Sequence, residues 1–158
     1  MRYLIDGHNL IGKMPGMSLH DMDDEQQLIG MLQSFYQVRR KPIEVYFDRA
    51  PAGYAGIRSY GTVTAHFVRQ GKTADDAIRD RLREMGVQAK EAIVVTSDRQ
   101  VQANAHAAHA QVVSSEEFAR EVLAAQEQRR APGKAGGNGM TSDEIDEWLE
   151  LFGGDDPK

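Results

Sequence analysis

The stretch Arg2-Tyr3-Leu4-Ile5-Asp6-Gly7-His8-Asn9 decides the fold. Tyr3, Leu4 and Ile5 read as a short buried strand, and Asp6-Gly7 ends it. Taken alone, Asp6 is a solvated strand end. Working outward, residues 24–39 place Leu28, Met31, Leu32 and Phe35 at i, i+3, i+4 and i+7, an amphipathic helix that Pro42 ends. Ile43-Glu44-Val45-Tyr46-Phe47 follows as a second strand closing at Asp48. Residues 49–61 (RAPAGYAGIRSYG) are rich in Gly and small residues and read as a surface loop. Thr62–Val68 is β-branched and alternating, a third strand. Thr73 then caps a helix running to about Met85, where Gly86 stops it.

The pattern repeats once more. Ala92–Thr96 is a fourth strand ending at Ser97-Asp98, and an Ala-rich helix covers 99–109. Gln111–Val113 is a short fifth strand, and Ser114-Ser115-Glu116-Glu117 is a capping box opening a helix to about Arg130. Short buried strands alternating with helices imply a mainly parallel sheet covered on both faces, a three-layer α/β/α sandwich. In such sheets the ligand crevice lies beyond the carboxyl ends of the strands, at the topological switch point. Asp6, Asp48 and Asp98 all fall where strands run out.

Composition bounds the rest. The 158 residues suit one domain over 1–130, a Gly- and Pro-rich linker over 131–140 and an acidic amphipathic helix over 141–158. That helix opens with a second capping box, Thr141-Ser142-Asp143-Glu144, and puts Ile145, Trp148, Leu149 and Phe152 on one face. The net charge of −5 is confined to the end: 17 basic and 17 acidic side chains precede residue 131, and 2 and 7 follow. The acidic pI therefore argues little against a nucleic-acid partner for the body. No run approaches the roughly 18–20 apolar residues of a membrane span. The N-terminus reads without a signal peptide, and the absence of cysteine points to the cytoplasm. Any metal must be held by carboxylate, amide or imidazole, which favours Mg²⁺ or Mn²⁺.

Hydrolysis of a phosphodiester by metal needs several carboxylates converging on one point. The chain offers Asp6 with Asn9, then Asp48, the pair Asp75-Asp76, and Asp98. Adjacent helical residues point about 100° apart, so one of the pair faces the metal squarely. Asp75 is assigned to the metal and Asp76 to capping or an outer shell.

Four motifs together carry a resemblance: Asp6-Gly7-His8-Asn9-Leu10-Ile11, Val45-Tyr46-Phe47-Asp48, Thr73-Ala74-Asp75-Asp76-Ala77-Ile78 and Val95-Thr96-Ser97-Asp98. In that order they resemble the NYN domain over about residues 1–125, and within it the YacP-like group of the PIN-like nuclease superfamily. The resemblance implies a PIN-like sandwich, a Mg²⁺- or Mn²⁺-dependent ribonuclease and RNA as substrate. By motif, Asp6, Asp75 and Asp98 would be metal ligands, Asn9 and Asp48 would support the catalytic site, and the Thr96 and Ser97 hydroxyls would lie beside it. YacP-like relatives include an endonuclease that cuts mRNA on the ribosome, so a ribosome-linked role is part of the expectation. His8 stands where the family usually has Tyr, and could line the site or tune its pH response.

Gly7–Lys13 matches the first seven positions of a P-loop, but Met14 stands where a Ser or Thr is needed, so the match reads as coincidence. His106 and His109 could bind a transition metal but read as solvated helix residues. Arg58 with Tyr54 and Tyr60 could stack on RNA or simply form an exposed loop. Arg69 and Lys72, and Arg99 directly after Asp98, are candidate contacts for substrate phosphate, whereas Arg39-Arg40-Lys41 reads as a charged helix end. The Trp148 helix could pack on its own domain, dock a protein partner or self-associate. Two rivals to a ribonuclease stand: an RNA- or ribosome-binding protein of the same fold, and a metal-dependent phosphatase or nucleotide hydrolase.

Overall fold

The computed structural model describes residues 1–17 and 22–130. The expected linker at 131–140 and helix at 141–158 lie outside the described residues. Residues Met1–Val122 make one compact unit; of the second, Leu123–Lys158, only the second half of one helix is described.

Six strands form one sheet: β1 (Arg2–Asp6), β2 (Ile43–Ala50), β3 (Gly56–Tyr60), β4 (Val63–Arg69), β5 (Ala92–Val95) and β6 (Gln111–Val113). Their order is β3-β4-β2-β1-β5-β6. All pairings are parallel except β3 with β4, which is antiparallel. The chain moves outward from β1 through β2 to β4, then returns to place β5 on the other side of β1. The switch point therefore lies at the carboxyl ends of β1 and β5, where Asp6 and Asp98 stand.

The helices are α1 (Gly7–Ile11), α2 (Met22–Arg39), α3 (Ala74–Met85), α4 (Arg99–Ala107) and α5 (Ser115–Arg130), with a 3₁₀ stretch at Gly86–Glu91. On one face of the sheet Tyr3, Phe35 of α2 and Phe118 of α5 form a triangle of rings with centroids 5.0–5.6 Å apart. On the other, Leu4, Tyr46 and Val94 meet Ile78 and Leu82 of α3 and Val101 and Ala105 of α4. Successive side chains of β1 thus enter opposite cores, which is why the strand reads as a continuous apolar run. Below the cleft, at the amino ends of the strands, buried Glu44 accepts from Arg81 at 2.9 Å, Arg2 at 3.0 Å and the Tyr46 hydroxyl at 2.7 Å. A buried carboxylate so fully paired is a structural anchor.

One expectation needs correction. Residues 49–61 are not one loop: β2 continues to Ala50, and Gly56–Tyr60 is the edge strand β3. Its Gly, Arg, Ser and Tyr hide the period-2 signal, because an edge strand with half-exposed faces needs little apolar alternation. α1 is a single turn beginning directly after Asp6. It is possible because position 7 is glycine: a Cβ there would sit 2.5 Å from the Phe47 ring and 2.9 Å from the Tyr46 carbonyl oxygen.

Candidate active site

The carboxyl ends of β1, β2 and β5 bring Asp6, Asp48 and Asp98 to one cleft, with His8 and Asn9 reaching it from α1. Asp6 is half-buried. Burial raises its pKa to about 6, the Asn9 N–H opposes this, and the charge of Asp48 adds to it; His8 lowers it and Asp98 raises it again. That N–H faces the carboxylate without closing a regular cap bond. Among the described residues the Asp6 carboxylate has only a long bond, 3.4 Å, from the Thr96 hydroxyl. The same hydroxyl accepts the Asp98 N–H at 3.1 Å, tying the two acids together.

His8 joins α1 to two neighbours. Its Nδ1 lies 3.0 Å from Asp48 and its Nε2 2.6 Å from Glu25 of α2. Burial alone would lower its pKa, but hydrogen bonds and charge from Asp48 and Glu25 outweigh it and hold the ring at about 9. His8 is therefore an imidazolium at neutral pH, donating from both nitrogens. The His8 bond in turn holds the Asp48 carboxyl below the usual range, with the Ala74 N–H at the start of α3 helping. Glu25 escapes a sequence reading because it stands in Asp23-Asp24-Glu25, the first turn of α2, where acids are expected for the dipole alone.

Asn9 is fixed from the other side. Its Oδ1 accepts from the Ser97 N–H at 2.8 Å and the Ser115 hydroxyl at 2.7 Å. With the oxygen engaged twice, the amide NH₂ is the end left to face the cleft. Ser115 is fully buried. The helix cap is supplied by Ser114, whose Oγ accepts the Glu117 N–H at 3.1 Å, and this frees Ser115 for Asn9. Ser97 also donates to Glu116, which Lys13 approaches at 3.3 Å.

The remaining candidates divide. Asp98 caps α4, accepting from the N–H groups of Gln100 and Val101; both bonds land on Oδ1, so Oδ2 is open among the described residues. Asp75 accepts from Asn104 of α4 at 3.3 Å and lies 3.7 Å from Arg79, contacts weak enough to give way. Asp76 closes a capping box with Thr73 and pairs with Arg79 at 2.7 Å. Lys72 pairs with Asp80 at 2.7 Å, and Arg69 and Arg99 are exposed. Arg58 lies 4.1 Å over the Tyr54 ring, and the phenols of Tyr54 and Tyr60 both meet Gln26, next to Glu25.

Among the described residues no three His, Asp or Glu side chains converge into a ready-made metal cage. The donor set nevertheless fits Mg²⁺ or Mn²⁺. Asp6 is a desolvated carboxylate pressed by two like charges, which a divalent cation would relieve. Mg²⁺ takes one or two carboxylates and keeps several waters, so it needs no closed cage.

The comparisons with known proteins agree with this architecture. The family model of the YacP-like NYN domain matches residues 3–149. The crystal structure of Rae1 (YacP) from Bacillus subtilis is similar with a TM-score of 0.71 and 22% identity, over 96% of this chain and 87% of that one. The W164L mutant of the same protein gives 0.64 and 24%, over 80% and 77%. The shared fold is the PIN-like sandwich. No curated protein sequence matches the chain.

Proposed function

Because the chain belongs to the YacP-like NYN domain family, a nuclease-type family acting on RNA, we propose that it is a divalent-metal-dependent endoribonuclease working at the cleft around Asp6. The observation that carries this reading is the set of acids at the switch point. Asp6 there is uncompensated enough to have its pKa pushed up to about 6. Asp6 and the free Oδ2 of Asp98 would hold the ion, with Asp75 turning from its weak contacts to join them. Bound Mg²⁺ or Mn²⁺ supplies positive charge to the scissile phosphate and lowers the pKa of an attacking water.

The protein's own groups do the positioning. Thr96 keeps Asp6 and Asp98 in register through one hydroxyl. The Asn9 NH₂ donates to a phosphate oxygen or the water, because its oxygen is held by Ser97 and Ser115. The His8 imidazolium offsets one of the two charges of Asp48 and Glu25, so the cleft is less acidic on the β2 side than at Asp6 and Asp98. A cytoplasmic location and action on ribosome-bound mRNA are the extensions that the family suggests. None of the described helices is long and apolar enough to cross a membrane.

The test is cleavage of single-stranded RNA with Mg²⁺ or Mn²⁺, with and without ribosomes, by wild type and Asp98→Asn. Asn is as good an N-cap as Asp, so α4 is preserved while a ligand charge is lost. Loss of cleavage in the variant is expected. Equal cleavage by both proteins sinks the reading, and turnover of phosphomonoesters in preference to RNA would move it to a phosphatase.

A further inference from the structure

We propose that Arg49 is a substrate-phosphate residue, its guanidinium taking a non-bridging oxygen of the RNA backbone at the mouth of the cleft; this rests on the ribonuclease reading. Phe47 pairs with Phe67 and Ala50 with Arg69, so β2 carries one residue more than β4 over the same interval. The extra residue makes a bulge at Asp48-Arg49, and bulges beside a site re-aim side chains.

The backbone there is strained. Arg49 has φ 59, the left-handed region that glycine or asparagine fills with least cost. Nothing in the side chain's packing repays this, because it is 80% exposed. Its charge contact is Nε at 3.7 Å from the Asp48 Oδ1, beyond hydrogen-bond range, so the donors of the fork remain available. What the bulge does accomplish is to turn Asp48 inward to His8 and set a cation directly beside it at the opening.

The chemistry of the cleft calls for such a cation. Asp6, Asp48 and Asp98 repel a phosphodiester on approach; Lys72 is engaged by Asp80, Arg79 by Asp76 and Lys13 by Glu116, whereas Arg99, exposed at the start of α4, stands on the far side at Asp98 and leaves Arg49 as the cation beside Asp48. A planar fork at the rim matches a backbone phosphate in two-point contact.

Arg49→Gly is the discriminating variant, since it removes the fork and relieves the left-handed strain together. Thermal unfolding is expected at or above the wild-type temperature. The KM for a single-stranded RNA oligonucleotide is expected to rise roughly tenfold with a smaller change in kcat. Measured in EDTA, the slope of log affinity against log salt is expected to become shallower by about 0.7, the loss of one phosphate contact. Arg49→Lys should restore the slope and only part of the KM. Wild-type KM and slope in Arg49→Gly overturn the assignment, as does a loss of activity that tracks a lower unfolding temperature. A wild type that neither binds nor cuts RNA overturns the ribonuclease reading and this assignment with it; it is told apart by the absence of any wild-type signal.

Discussion

Replacing His8 with Gln removes the positive charge that joins Asp48 to Glu25. In the folded protein the ring is held at about 9 against an ordinary 6.5. A difference of about 2.5 pKa units corresponds to ~3 kcal/mol of stability when the ring is charged. The ring is 21% exposed, so water screens it less than a surface pair. The folded value is raised, so the stabilisation is complete below about pH 6.5 and is lost as pH climbs through about 9. Urea unfolding of wild type and His8→Gln, in EDTA, at about pH 6 and about pH 9.5 reads this directly. The stability gap between the two proteins is expected to be ~3 kcal/mol at the lower pH and to lose most of that at the higher. Comparing the proteins at one pH cancels the groups that titrate in both. A gap that stays constant across the range refutes the charged clamp.

Three further substitutions probe the same cleft. Asp6→Asn should stabilise the metal-free protein by up to about 3 kcal/mol above pH 6, because a carboxyl with a raised pKa is penalised only when ionised; calorimetry at neutral pH checks this, and RNA cleavage should vanish. Ser115→Ala leaves the half-buried Asn9 oxygen with one donor fewer and should cost about 1 kcal/mol in urea unfolding. It should also lower kcat more than KM, whereas a merely structural Ser115 would leave kcat alone. Gly7→Ala forces a methyl against the Phe47 ring and the Tyr46 carbonyl, an overpacking expected to lower stability by about 1–3 kcal/mol in thermal melts.

What the sequence made legible follows from periodicity and position. Tyr3-Leu4-Ile5, Ile43–Phe47 and Ala92–Val95 are buried on both faces, so apolar runs mark them, and acids at their ends mark the cleft. β3 was hidden because an exposed edge strand carries little apolar pattern, and its Gly56 looks like turn chemistry. Glu25 and Ser115 were hidden for a different reason. Each stands at a helix start, where acids and serines are explained by capping, and only the tertiary structure shows them reaching His8 and Asn9. Arg49 gave no signal at all, since neither a bulge nor a positive φ is written in residue types other than glycine or asparagine.

Diffraction from a crystal soaked in Mn²⁺ tests the account most directly, through the anomalous peak that locates the ion. A peak is expected between Asp6 and the Oδ2 of Asp98, with the Asp75 carboxylate turned towards it from Asn104. A cleft without a peak at saturating Mn²⁺, or a peak held by acids elsewhere on the chain, would contradict it.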